Sequence, residues 1–136
     1  MPAVLLDTNA LIYVAKDLSI SRQARSALRR ASGSRQIFVS AISAWEIGLL
    51  AAKQRFRFAP DARTWFFDFI AREDISIASL LPEIMFDSWS LPEPLHADPA
   101  DRLIISTARH LNASVMTRDD RILDYAKAGY VEAIAC

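Results

Sequence analysis

Four carboxylates, Asp7, Glu46, Asp101 and Asp119, stand where an apolar run that reads as a strand stops or where a helical pattern starts. In a parallel α/β fold such positions collect along one edge of the sheet, at the crevice where ligands bind. Acids gathered there repel one another unless they hold protons or cations. A divalent metal with oxygen ligands resolves the conflict, and it is suited to activating water against a phosphate ester. The placement of these acids therefore predicts a metal-dependent hydrolytic site.

Each acid also has an ordinary explanation. Asp7, followed by Thr8-Asn9, suits a helix N-cap. Ser43-Ala44-Trp45-Glu46 matches the S-x-x-E capping box. Glu46 also falls on the apolar stripe Ile42, Trp45, Leu49 and Leu50, which would turn it inward, where an acid needs a partner. Asp101 lies in the first turn of a helix opened by Asp98-Pro99, where any acid suits the helix dipole, but Asp98 already serves as the cap. Asp119 shares a capping role with Asp120. Thr117, at a strand end, offers a hydroxyl to a metal-bound water or simply closes the strand. The ordinary explanations do not account for all four acids falling at edge positions.

The elements that must position them alternate along the chain. Val4 to Leu6, Ile37 to Val39, Ile75 to Ala78, Ser114 to Met116 and Val131 to Ile134 read as strands. Helices are expected over Leu11 to Lys16, from Ser19 or Ser21 through Ala31, and from Ser43 to about Ala52. A further one follows Pro60-Asp61 with the stripe Ala62, Trp65, Phe66, Phe69 and Ile70. Leu81 to Ser90 forms another, with Pro82 in its first turn. The helix after Asp98-Pro99 buries Ala100, Leu103, Ile104, Thr107, Ala108 and Leu111 and stops at Asn112. The last runs from the Asp119-Asp120 cap to about Ala128. This alternation predicts an α/β fold with a mostly parallel sheet of four to five strands covered on both faces. No repeat or linker divides the chain, so one domain spans 1–136.

Composition narrows the function. Lys plus Arg equals Asp plus Glu at 16 each, so bulk charge cannot hold a polyanion and any nucleic acid must meet a local basic patch. Arg22, Arg25, Arg29 and Arg30 on one predicted helix, or Lys53, Arg55 and Arg57 after another, supply such a patch or are solvated faces. No apolar run reaches the roughly 18 to 20 residues of a membrane span. The N-terminal Met1-Pro2-Ala3-Val4-Leu5-Leu6-Asp7 lacks a basic region, arguing against a signal peptide. Cys136 is the sole cysteine, in keeping with a reducing cytoplasm. His96 and His110 lie far apart without a cysteine nearby, which argues against zinc. His96 is expected in a loop beside the site, and the three tryptophans in the core.

Leu5-Leu6-Asp7-Thr8-Asn9-Ala10-Leu11-Ile12 and Ser40-Ala41-Ile42-Ser43-Ala44-Trp45-Glu46-Ile47 resemble the opening motifs of PIN domains. His96-Ala97-Asp98-Pro99-Ala100-Asp101-Arg102-Leu103-Ile104-Ile105 and Val115-Met116-Thr117-Arg118-Asp119 resemble the later ones. The resemblance covers essentially the whole chain and is closest to the VapC-type toxins of bacterial and archaeal toxin–antitoxin pairs. It implies a Rossmann-like α/β/α sandwich, a Mg²⁺- or Mn²⁺-dependent endoribonuclease, a homodimer and a small cognate antitoxin. The family's acidic quartet carries over onto Asp7, Glu46, Asp101 and Asp119, with Thr117 in support and Asp98 joining through a water. Arg55, Arg57, Arg102 and Arg118 are candidates for contacts to the RNA backbone. Asn9 replaces the His that many close relatives carry, and Lys53 to Phe58 lacks a glycine commonly seen there.

Other readings fit less well. A phosphatase forming an acylphosphate wants D-x-D where this chain has Asp7-Thr8-Asn9, and a receiver domain wants extra acids before the first strand. A catalytically silent RNA-binding or scaffold module of the same fold is expected to have lost an acid, and none is missing. A nuclease acting on another nucleic acid shares the acids and metal, because only the groove can read the 2′-hydroxyl.

Overall fold

The computed structural model describes residues 3–136; Met1 and Pro2, part of the stretch read above as lacking a leader, lie outside the described residues. The order is β1 (Ala3–Leu6), α1 (Thr8–Ala15), α2 (Arg22–Ser32), β2 (Ile37–Ser40), α3 (Ala41–Ala52), α4 (Ala62–Arg72) and β3 (Ser76–Ala78). It continues with α5 (Pro82–Asp87), α6 (Pro99–Leu111), β4 (Ala113–Thr117), α7 (Asp120–Lys127) and β5 (Glu132–Ala135). Every strand pairing is parallel, in the spatial order β3-β2-β1-β4-β5.

That order places the site. The chain builds outward from β1 through β2 to β3, then crosses back to lay β4 on the other side of β1. The reversal leaves a crevice beyond the carboxyl ends of β1 and β4, where Asp7 and Asp119 follow their strands.

Alternation along β1 divides the core. Val4 and Leu6 pack with Leu11, Ala24, Ala27, Ile47, Phe66 and Phe69 on one side. Ala3 and Leu5 pack with Ile104, Ile105, Ala108, Ile122 and Tyr125 on the other. The central strands β1, β2 and β4 are buried on both faces, which is why they read as continuous apolar runs, while the edge strands β3 and β5 are more exposed.

Helix α1 starts at Thr8 rather than Leu11 and α5 ends at Asp87 rather than Ser90, and four further details depart from the sequence reading. Helix α3 starts earlier than expected because Ser40, not Ser43, caps it, its Oγ accepting from the Ile42 N–H at 3.1 Å. The capping-box reading of Glu46 therefore falls. The inward stripe on α3 holds only in part: Ile42 and Leu50 pack against the core and Glu46 is half-buried, but the buried residues are Ser43 and Ile47, Trp45 is 64% exposed and Leu49 also faces outward. Of the tryptophans, only Trp65 joins the core, and Trp89 is exposed like Trp45. Finally, α6 is buried over more of its circumference than one stripe, taking in Arg102, Ile105 and Ser106. As expected, Asn112 ends that helix in the left-handed region, at φ 53°.

Candidate active site

Asp7, Glu46, Asp101 and Asp119, from four separate segments, line one cavity of about 160 Å³. The three aspartates are placed by local backbone preferences, and Glu46 is held instead by a long-range bond from Thr8. Asp7 caps α1, accepting from the Ala10 N–H at 2.8 Å, and its own N–H donates to Met116 O of β4 at 3.1 Å. Asp98 caps α6 by accepting from the Asp101 N–H at 3.0 Å, which sets Asp101 one turn inside. Asp119 caps α7, accepting from the N–H groups of Arg121 and Ile122 at 2.8 and 3.3 Å. Capping and chemistry are thus not competing explanations, since the cap fixes where the acid sits.

The supporting polar groups are specific. The Thr117 hydroxyl, fully buried, accepts from the Asp119 N–H at 2.9 Å and favours the ionised form of Asp7. Thr8 donates from its hydroxyl to Glu46 and lies 2.9 Å from the Ser43 hydroxyl. His96 Nε2 meets Asp101 Oδ2 at 2.8 Å. Asp98 adds negative charge near Glu46 and Asp101 but does not line the cavity.

These surroundings split the acids. Burial pushes Asp7 up to about 6, outweighing the opposing hydrogen bonds from Thr117 and Ala10, and weaker repulsion from Asp101 and Asp119 adds to the rise. Burial also raises Glu46, against the bond from Thr8 and with repulsion from Asp101, Asp98 and Asp7. Asp101 is raised the same way, with His96 opposing. Asp119 goes the other way. Its burial is outweighed by the hydrogen bonds from the Arg121 side chain and from the backbone of Arg121 and Ile122, so it is held low.

The candidate arginines separate clearly. Arg102 is buried and committed to the interior. It donates to the carbonyls of Ser88, Leu95 and His96 and to Glu93 Oε1, at 2.9 to 3.2 Å, and lies 5.2 Å from the Trp89 ring centroid. Its expected role against the RNA backbone is therefore withdrawn; it clamps the loop that carries His96 to Asp101. Arg118 donates to Ser19 O and lies over Tyr13. Arg55 and Arg57 stand exposed in the loop after α3. Sequence reasoning missed Arg121, two positions beyond Asp119, whose guanidinium reaches Asp119 at 3.1 Å and Asp101 at 3.6 Å. It also missed Thr8 as the partner of Glu46 and Ser43 as the partner of Thr8; the hydroxyls beside Asp7 and one turn before Glu46 were the available signal.

The donor set fits a hard divalent cation. All four acids offer oxygen, and three are driven above their ordinary values by burial and mutual repulsion, which a cation would reverse. Among the described residues, no three His, Cys, Asp or Glu side chains are already converged as a ligand cage. An ion such as Mg²⁺, which keeps several of its waters, does not require one.

The PIN domain family model matches residues 4–128. Over 123 residues, 90% of this chain and 91% of the relative, the chain is 30% identical to Ribonuclease VapC22 of Mycobacterium tuberculosis (strain ATCC 25618 / H37Rv). Among solved structures it is similar to VapBC2 from Rickettsia felis bound to a promoter DNA fragment, with TM-score 0.72, 18% identity and 98% of each chain covered. A toxin–antitoxin complex from Klebsiella pneumoniae matches with TM-score 0.64 and 23% identity over 95% of each chain. The structural likenesses establish the shared fold, and the family match spans every segment that carries a site acid. This chain belongs to the PIN-domain family.

Proposed function

We propose that this chain is a metal-dependent endoribonuclease acting as the toxin of a toxin–antitoxin pair, with Asp7, Glu46, Asp101 and Asp119 as its catalytic set. One observation carries the reading: four acids from four segments meet in a small cavity at the sheet's switch point, three of them raised. The name of the ribonuclease relative supports RNA as substrate.

Asp7, Asp101 and Asp119 would hold Mg²⁺ or Mn²⁺, with Glu46 beside them. When bound, the metal lowers the pKa of a coordinated water and neutralises charge on the phosphodiester. Among the acids, Glu46 is the better base for the attacking water. It is raised and held by a neutral hydroxyl donor, whereas Asp119 is held low by Arg121. Thr8, itself paired with Ser43, orients Glu46, His96 orients Asp101, and Thr117 sets the spacing of Asp7 and Asp119. Arg55 and Arg57 are free to meet the RNA backbone.

The solved structures that share the fold include toxin–antitoxin complexes, which supports an antitoxin partner for this chain, and the homodimer rests on the family resemblance. Trp45 on α3, and Phe86 and Trp89 on and after α5, are 61 to 78% exposed and supply apolar surface for protein contacts. No described helix is long and apolar enough to cross a membrane, and a cytoplasmic location is in keeping with the RNA substrate.

The test is cleavage of a mixed cellular RNA pool by purified protein with Mg²⁺ or Mn²⁺, beside EDTA and Asp7→Asn controls. Discrete fragments from the wild type with metal alone are expected. Cleavage that survives EDTA or the substitution overturns the reading, and preferential cutting of a matched DNA pool reassigns the substrate.

A further inference from the structure

Arg121 is a cation set among the acids of the site. Its Nη2 lies 3.1 Å from Asp119 Oδ2 and 3.6 Å from Asp101 Oδ2, and its Nε lies 3.4 Å from Asp119 Oδ1. Asp101 and Asp119 come from different segments and meet only in the folded chain, so the guanidinium bridges a gap that tertiary structure creates. The side chain is nevertheless 60% exposed. Arg102 makes the contrast, with a side chain 6% exposed and four acceptors holding it still. Among the described residues, Arg121 is the one arginine paired with these acids.

A guanidinium and a divalent cation cannot both sit against the same two carboxylates without like-charge repulsion. We propose that Arg121 is the resident counter-ion of the metal-free site, leaves Asp101 and Asp119 when a divalent ion binds, and then holds a phosphodiester of the substrate. This rests on the reading of the acids as a metal site and names a substrate-binding residue for it. The exposed, tethered side chain can swing without disturbing the core, and its planar fork suits two phosphate oxygens. Thermodynamic reciprocity follows. If metal frees the arginine for phosphate, then phosphate draws the arginine off the acids, and each ligand tightens the other.

The experiment is calorimetric titration of Mn²⁺ into wild type, Arg121→Gln and Arg121→Lys, with and without a short single-stranded RNA carrying phosphorothioate linkages. Without RNA, Arg121→Gln is expected to bind Mn²⁺ roughly three- to fivefold more tightly than wild type, the scale of a lost exposed ion pair. In wild type the RNA tightens Mn²⁺ binding. In Arg121→Gln that coupling disappears and the RNA itself binds roughly tenfold more weakly, as for a lost charged hydrogen bond. Arg121→Lys, which keeps the charge and loses the fork, falls between. Unchanged or weaker Mn²⁺ binding by Arg121→Gln, or coupling that persists in it, overturns the proposal while leaving the metal site standing. Absence of Mn²⁺ binding in wild type and variants alike overturns the metal site and this role together.

Discussion

Replacing Asp7 with Asn should stabilise the metal-free protein while abolishing its activity. Asp7 is 6% exposed, and its carboxyl is pushed from 3.8 to about 6, chiefly by burial. A carboxyl raised on folding binds its proton more tightly in the folded state. Its contribution is therefore most favourable while both states are protonated, and it declines as pH rises from about 4 to about 6 before levelling off. At 1.36 kcal/mol for each pH unit, ionised Asp7 costs the folded state about 3 kcal/mol above that window. Asn keeps the cap to the Ala10 N–H and carries no charge. Urea denaturation in EDTA should show wild type and Asp7→Asn nearly equal near pH 4, by the same linkage. The variant should lead by about 2 to 3 kcal/mol at about pH 7.5. Saturating Mg²⁺ should then raise the stability of wild type and leave the variant nearly unmoved, since only a ligand that binds the folded state stabilises it. A variant no more stable than wild type at the higher pH, or a gap independent of pH, would refute the claim that burial loads this carboxylate.

Glu46→Gln should lower RNA cleavage by roughly 10²- to 10⁴-fold, the range for losing a general base, with Mn²⁺ affinity measured by calorimetry changing far less. Arg102→Ala should destabilise the fold by about 3 kcal/mol or more in urea melts, because three backbone carbonyls lose their donor. Gln54, after α3, adopts φ 54°. Left-handed backbone costs a non-glycine residue roughly 1–2 kcal/mol, and glycine's extra unfolded freedom returns roughly 0.5–1. Gln54→Gly should therefore stabilise by about 0.5–1 kcal/mol in the same melts.

The legible parts of this chain were those written in local chemistry. Asp7, Asp98 and Asp119 are caps, so their positions follow from short-range preferences, and Asn112 marks the end of α6 for the same reason. Continuous apolar runs announced strands buried on both faces. Periodicity failed on α3, because Ala41–Ala52 is apolar nearly all round and its pattern cannot say which face meets the core. The sequence reading started α3 at Ser43, whereas Ser40 caps it and the Ser43 hydroxyl is paired with Thr8. The arginines were least legible of all. Arg102 and Arg121 both stand beside site acids in sequence, yet one turns inward to the carbonyls of the 88–96 loop and the other lies across Asp101 and Asp119. Those directions depend on which segments pack nearby, and local sequence does not record that.

The central claim is that the crevice at the ends of β1 and β4 takes a divalent cation, and diffraction from crystals soaked in Mn²⁺ tests it most directly. Anomalous density between Asp7, Asp101 and Asp119, with the Arg121 side chain displaced from the acids, is the result predicted here. Well-ordered crystals with no anomalous density at these acids, or with the ion bound elsewhere on the chain, would contradict it.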